Sequence, residues 1–245
     1  MPPRVVIAGG GTGGHLVPAL ALARELVSRD CEVLLVGTPR DSDQLLLSVS
    51  EFPYRLLVAP ALQRQKRWQN AGLPFTLAAA VARARRILVE FRPDAAVGTG
   101  GYVMVPVILA ARMRGVPVLL QEQNRIPGIA TRFLARWARR VCVQFADSAV
   151  KLGRTPVEVT GSPIEPLIPA RSDFAGRLDR SRRTVGVFGG SQGASAINDA
   201  LLSLLAHDPD AAPFNLVWQT GIVDHARVMS AAPWPERFVD RKSVV

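Results

Sequence analysis

Two cysteines, two tyrosines and three histidines are all that the 245 residues hold of these types, and aromatic residues make up only 6%. Each scarcity narrows the chemistry. Cys31 and Cys142 stand at or in β-type apolar runs, far apart and without metal-ligand spacing, so two buried thiols are expected rather than a disulfide or a zinc site. No grouping of His, Cys, Asp or Glu has the spacing of a metal centre, and no metal or other cofactor is expected. Long apolar runs are missing as well. The longest uncharged stretch, 95–111, is shorter than the roughly 20 residues of a membrane-spanning helix, and it is broken by Gly98, Gly100, Gly101 and Pro106. At the start, Met1-Pro2-Pro3 leads straight into a strand with no export signal, which predicts a chain that stays in the cytosol. Acidic residues are also in short supply, 20 against 30 Lys and Arg, for a formal net charge of +10. Such a surplus attracts phosphorylated ligands, anionic lipid or nucleic acid alike, or simply decorates a solvated surface. Nucleic acid is not expected, because no recognised module signature accompanies the charge.

What is present is alternation. Short apolar runs at 4–8, 32–37, 54–58, 95–98, 117–121, 140–144 and 157–160 are separated by helical patterns. This predicts an α/β fold with a mostly parallel sheet, doubly wound, whose ligands bind beyond the carboxyl ends of the strands. A proline-bearing stretch with little periodicity follows, containing Pro163, Pro166 and Pro169, and a second α/β unit begins near Thr184 with strands at 184–188 and 214–219 and a candidate third at 237–239. The divisions expected are 1–162, a linker at 163–182, and 183–245. The last is too short for a whole doubly wound domain and is expected to be incomplete.

Each unit opens on a strand that runs into a glycine-rich turn and a helix: Gly9-Gly10-Gly11-Thr12-Gly13-Gly14-His15 in the first, Gly189-Gly190-Ser191-Gln192-Gly193-Ala194 in the second. Glycines there let backbone N–H groups approach an anion at a helix N-terminus. The first turn fits G-x-G-x-x-G, but the second strand ends in Gly37-Thr38 with no acid for a ribose, which argues against a dinucleotide oxidoreductase. His15 follows the loop, with Pro18 taken to suit the first turn of the helix. A neutral imidazole there, its pKa lowered by the helix end, could serve as a base for a sugar hydroxyl, or the histidine could cap or pack. Gly98-Thr99-Gly100-Gly101-Tyr102 and Gln121-Glu122-Gln123-Asn124 follow the fourth and fifth strands and should open on the same rim, as sugar or pyrophosphate ligands or as turn formers. The segment from Ala61 through Arg64, Lys66, Arg67 and Trp68 to Leu77 reads either as a seat on an anionic membrane or as an ordinary amphipathic helix.

Taken in order, the two glycine turns together with Gly100-Gly101-Tyr102, Glu122-Gln123-Asn124, Thr160-Gly161-Ser162-Pro163 and Gln219-Thr220-Gly221 resemble the MurG family over essentially the whole chain. The resemblance implies a GT-B fold of two Rossmann-like domains and an inverting transfer of N-acetylglucosamine from UDP-GlcNAc to the muramoyl 4-hydroxyl of undecaprenyl-diphospho-MurNAc-pentapeptide (lipid I), giving lipid II. It implies peripheral attachment to the cytoplasmic face of an anionic membrane. By motif position, His15 is the base; Thr12, Gly13, Gly14, Gly101, Tyr102, Glu122, Asn124, Ser191 and Gln192 bind substrate. Glu165 stands where the family usually carries an arginine, removing a diphosphate contact, and Gln121 and Trp218 occupy histidine positions. The family's remaining C-terminal segment has no counterpart after Val245, so the chain is expected to be truncated and, alone, weakly active or inactive. Two other readings remain: a module that binds lipid-linked diphosphate without transferring sugar, and a GT-B transferase for another lipid acceptor.

Overall fold

A computed structural model describes residues 1–61, 71–164, 178–189, 193–205, 213–221, 223–231, 234–235 and 238–241. The chain divides into two compact units, Met1–Pro166 and Leu167–Val245.

The first unit is built on seven parallel strands, β1 (Arg4–Gly9), β2 (Glu32–Gly37), β3 (Tyr54–Leu56), β4 (Ala95–Gly100), β5 (Val118–Glu122), β6 (Arg140–Val143) and β7 (Val157–Val159). Their spatial order is β3-β2-β1-β4-β5-β6-β7. All seven expected strands form, and β3 stops two residues early. The connections carry α1 (Gly13–Ser28), α2 (Asp41–Ser48), α3 (Leu73–Phe91), α4 (Met104–Met113) and α5 (Ile129–Leu134).

Strand side chains alternate between two layers, which is why these strands read as continuous apolar runs. Val5, Ile7, Val33, Leu35 and Val97 pack on Leu16, Ala19 and Ala23 of α1. Val6, Ala8, Val36, Ala96, Val118 and Leu120 pack on the other face with Ala84 and Leu88 of α3 and Val107, Ile108 and Ala111 of α4. Both cysteines are free thiols, but they are only partly buried where full burial was expected. On β6, Val141 and Val143 join the layer under α3 and α4, so Cys142 alternates to the opposite face, where the α1 cluster includes no β6 residue.

The second unit has three parallel strands, β8 (Arg183–Phe188), β9 (Phe214–Gln219) and β10 (Phe238–Arg241), in the order β10-β9-β8, with α6 (Ser195–Leu205) and α7 (His225–Met229). Its core gathers Leu205, Leu216, Trp218, Val228 and Phe238. Buried Asn198 ties the unit together: it donates to Thr220 O and Asp224 Oδ2 at 2.8 and 2.9 Å, and accepts from Trp218 Nε1 at 3.0 Å.

Candidate functional site

The strand order of the first unit reverses between β1 and β4, and in a doubly wound sheet the crevice beyond that reversal is where ligands bind. Two glycine turns meet there. Gly101 has φ +78°, and a Cβ on it would fall on the carbonyl of Gly10; Gly100 has φ +124°, and a Cβ on it would enter the ring of His15. Only glycine lets these backbones touch and lets the imidazole lie against the β4 turn. Thr99 Oγ1 closes the contact by donating to the backbone O of His15 at 2.8 Å.

The glycine loop after β1 is pinned from the side of β2. Asp43, on α2 and fully buried, accepts through Oδ2 from Gly11 N (2.7 Å), Thr38 N (3.1 Å) and Thr38 Oγ1 (2.6 Å). Arg40 Nη1 donates to Gly11 O at 3.0 Å. The loop is therefore not a wholly free cradle of amides, since Gly11 N–H is committed to a carboxylate of the protein itself. The acid missing from the end of β2 is supplied from α2, and it is spent on the fold.

His15 is the third residue of α1. Its Nδ1 lies 2.6 Å from Gln123 Nε2, which also donates to Gly14 O at 2.7 Å. Burial holds the imidazole pKa below its ordinary value, against the charge of Glu122, contact with the Thr99 backbone and the charge of Asp43, which pull it upward. The depression predicted from sequence is present, but desolvation dominates where the helix end was expected to. Pro18 is likewise not in the first turn; it sits inside α1.

The turn after β5 is organised by Glu122, which is 2% exposed. Its Oε1 accepts from Asn124 N at 2.9 Å and Asn124 Nδ2 at 2.8 Å, and its Oε2 from Gly128 N at 2.9 Å. Buried Ser148 donates to Asn124 O at 3.1 Å. Glu122 thus uses its carboxylate to hold Asn124 in place.

A cavity of about 560 Å³ opens on this rim, lined by His15, Gly100, Gly101, Tyr102, Glu122 and Asn124 together with apolar Leu73, Leu77, Met104, Ile126, Ile129 and Phe133. It can take a ligand with one polar end and one apolar end. His15, Gly101, Tyr102, Glu122 and Asn124 are brought together here. Thr12, Gly13 and Gly14 do not line the cavity; they sit at the start of α1, where a Cβ on Gly13 would meet nothing within 4 Å. Ser191, Gln192 and Glu165 lie outside the described residues, as do residues 62–68 of the basic segment. Its continuation begins α3, with Phe75 81% exposed and Arg83, Arg85 and Arg86 on the surface.

Sequence reasoning missed Asp43 and gave Thr99 and Gln123 no role beyond that of the loops they stand in. An acid in the first turn of α2 was the only signal for Asp43, and it is an ordinary helix-start feature. Thr99 and Gln123 stand inside the motifs themselves, but their partners, 84 and 108 residues away, are set by the sheet order.

The profile described as "Glycosyltransferase family 28 N-terminal domain" matches residues 5–143. Among curated relatives, the "UDP-N-acetylglucosamine--N-acetylmuramyl-(pentapeptide) pyrophosphoryl-undecaprenol N-acetylglucosamine transferase" of Halalkalibacterium halodurans is 34% identical over 245 residues, covering 96% of this chain and 67% of that protein. The protein of the same name from Chlorobaculum tepidum is 41% identical, covering 92% and 64%, and that from Desulforamulus reducens is 39% identical, covering 82% and 56%. The chain thus spans little more than half to two thirds of these relatives' length. Among solved structures, Acinetobacter baumannii MurG superposes with a TM-score of 0.67 at 28% identity, over 99% of this chain and 67% of that one. The kitacinnamycin glycotransferase, at 16% identity and a TM-score of 0.69, shares the fold. With the match over 5–143, identities of 34% and above, and the glycine turns packed at the switch point of the sheet, this chain belongs to the MurG family of glycosyltransferases.

Proposed function

We propose that this protein carries the machinery for transfer of N-acetylglucosamine from UDP-GlcNAc to the 4-hydroxyl of the muramoyl unit of lipid I, giving lipid II. The observation that carries the reading is the placement of His15: a half-buried imidazole with a lowered pKa, on the wall of a cavity that is polar beside Asn124 and apolar along Leu73, Leu77 and Phe133. In that reaction His15 takes the proton of the acceptor hydroxyl as its oxygen attacks the anomeric carbon of the donor. The bond from that carbon to the diphosphate breaks with inversion, and UDP leaves with the electron pair. The unit before the linker, 1–162 by motif, takes the lipid-linked acceptor, and 183–245 contributes to holding the nucleotide sugar. Gly101, Tyr102 and Asn124 meet the sugars, with Glu122 acting through Asn124. Thr12, Gly13 and Gly14 offer the amide end of α1 to a diphosphate. Ser191 and Gln192 are assigned to UDP on the family resemblance alone.

No helix among the described residues is long and apolar enough to cross a membrane. We infer peripheral attachment to the cytoplasmic face, supported by exposed Phe75 near the start of α3 and the exposed Arg83, Arg85 and Arg86 further along it. The test is transfer of labelled sugar from UDP-GlcNAc to a lipid I analogue. His15→Ala is expected to cut kcat by at least about 10²-fold, the usual worth of a general base, while UDP binding measured by calorimetry is unchanged. Where wild type turns over above background, equal turnover by the variant would remove His15 from this role.

A further inference from the structure

Pro18 lies inside α1 and has no N–H to offer the carbonyl of Gly14 four residues earlier. That carbonyl is taken up instead by Gln123 Nε2, at 2.7 Å. A carbonyl oxygen can only accept, so the Gln123 atom facing it is the amide nitrogen, and this nitrogen also lies 2.6 Å from Nδ1 of His15. Its two N–H bonds then serve two acceptors. A neutral imidazole that accepts at Nδ1 must carry its proton on Nε2. We propose that Gln123 is a positioning residue that selects the tautomer of His15, holding the resting ring as Nε2–H by donating to Nδ1.

The opposite amide orientation is disfavoured on two counts. It would set Gln123 Oε1 against Gly14 O, two acceptors with no proton between them, and it would bury an N–H group where Oε1 now has no partner among the described residues. Pro18 is therefore part of the device: by withdrawing the helical donor from Gly14 O it creates the demand that orients the amide. The consequence for catalysis rests on the reading of His15 as the base. For Nε2 to act as that base it must give its proton to solvent while water protonates Nδ1, with the Gln123 amide turned so that Oε1 accepts from the new Nδ1–H.

The tautomer is read directly from long-range proton–nitrogen correlation spectra of the ¹⁵N-labelled protein, well above the imidazole pKa. Wild-type protein is expected to show the Nε2–H pattern for His15. Gln123→Met removes the donor that favours an unprotonated Nδ1, so the Nδ1–H form should gain population. Pro18→Ala restores an N–H for Gly14 O, releases the amide to turn, and should move the pattern the same way. A wild-type Nδ1–H pattern overturns the proposal, as does a pattern that neither variant changes. Should Gln123→Met fail to fold, the wild type and Pro18→Ala still decide. The spectra need neither sugar donor nor acceptor, so this result and the transfer assay stand or fall separately.

Discussion

At His15 burial opposes two carboxylates, and burial wins. Its folded-state pKa lies below the unfolded value of about 6.5, so between the two the unfolded chain binds more protons than the folded one and stability falls as pH drops through that window. Unfolding in urea at pH 7.5 and 5.5, or about those values, should show wild type losing more stability on acidification than His15→Asn. By the same sign, a base held neutral in this way puts the acid limb of kcat/KM below about pH 6.5, and a limb above it would contradict the assignment. Asp43 belongs to the same scale. Asp43→Ala strips the acceptor from two backbone amides and a hydroxyl, and a loss of about 3 kcal/mol in chemical denaturation is expected, as for a buried group whose removal orphans its partners. A loss under about 1 kcal/mol would mean that water satisfies those amides equally well.

Among elements, the turns after β1 and β4 form one structure, because Gly10 and Gly101 touch through their backbones. Gly101→Ala combines a left-handed φ of +78° with a Cβ placed on the Gly10 carbonyl. It should cost about 3 kcal/mol or more and push His15 off the β4 turn. Gly115 is the control: its φ is +73° but a Cβ there meets nothing, so Gly115→Ala should cost only the conformational term of about 1–2 kcal/mol. Equal destabilisation by the two would show that the loops do not need their close approach. The motifs were visible as glycine runs, and the strands that carry them were legible from β-branched apolar stretches at regular spacing. Nothing local in Gly98-Thr99-Gly100-Gly101 says that its partner is the loop after β1, because that pairing follows from β4 crossing over to lie beside β1.

At the scale of the molecule the two units are unequal. The described core of the first consists of twenty and eleven buried apolar residues on the two faces of its sheet, against five in the second. With each large side chain worth about 1.5–3 kcal/mol on full burial, the second unit should open first. Hydrogen exchange is expected to release the amides of β8 to β10 before those of β1, β4 and β5. Simultaneous release would mean that the units unfold as one.

Periodicity and glycine placement in the sequence were enough to determine the α/β class, the seven strands of the first unit, the motifs of the MurG family and the position of His15 at a helix start. These are properties of neighbouring residues, and local chemistry carries them. Tertiary structure alone decided that Asp43 occupies the amide of Gly11, that burial is what lowers the pKa of His15, and that Gln123 reaches both Gly14 and the imidazole. Each of these depends on which strands become neighbours. The chain brings residues 32, 84 and 108 positions apart into hydrogen-bond range only once the sheet has closed around its switch point.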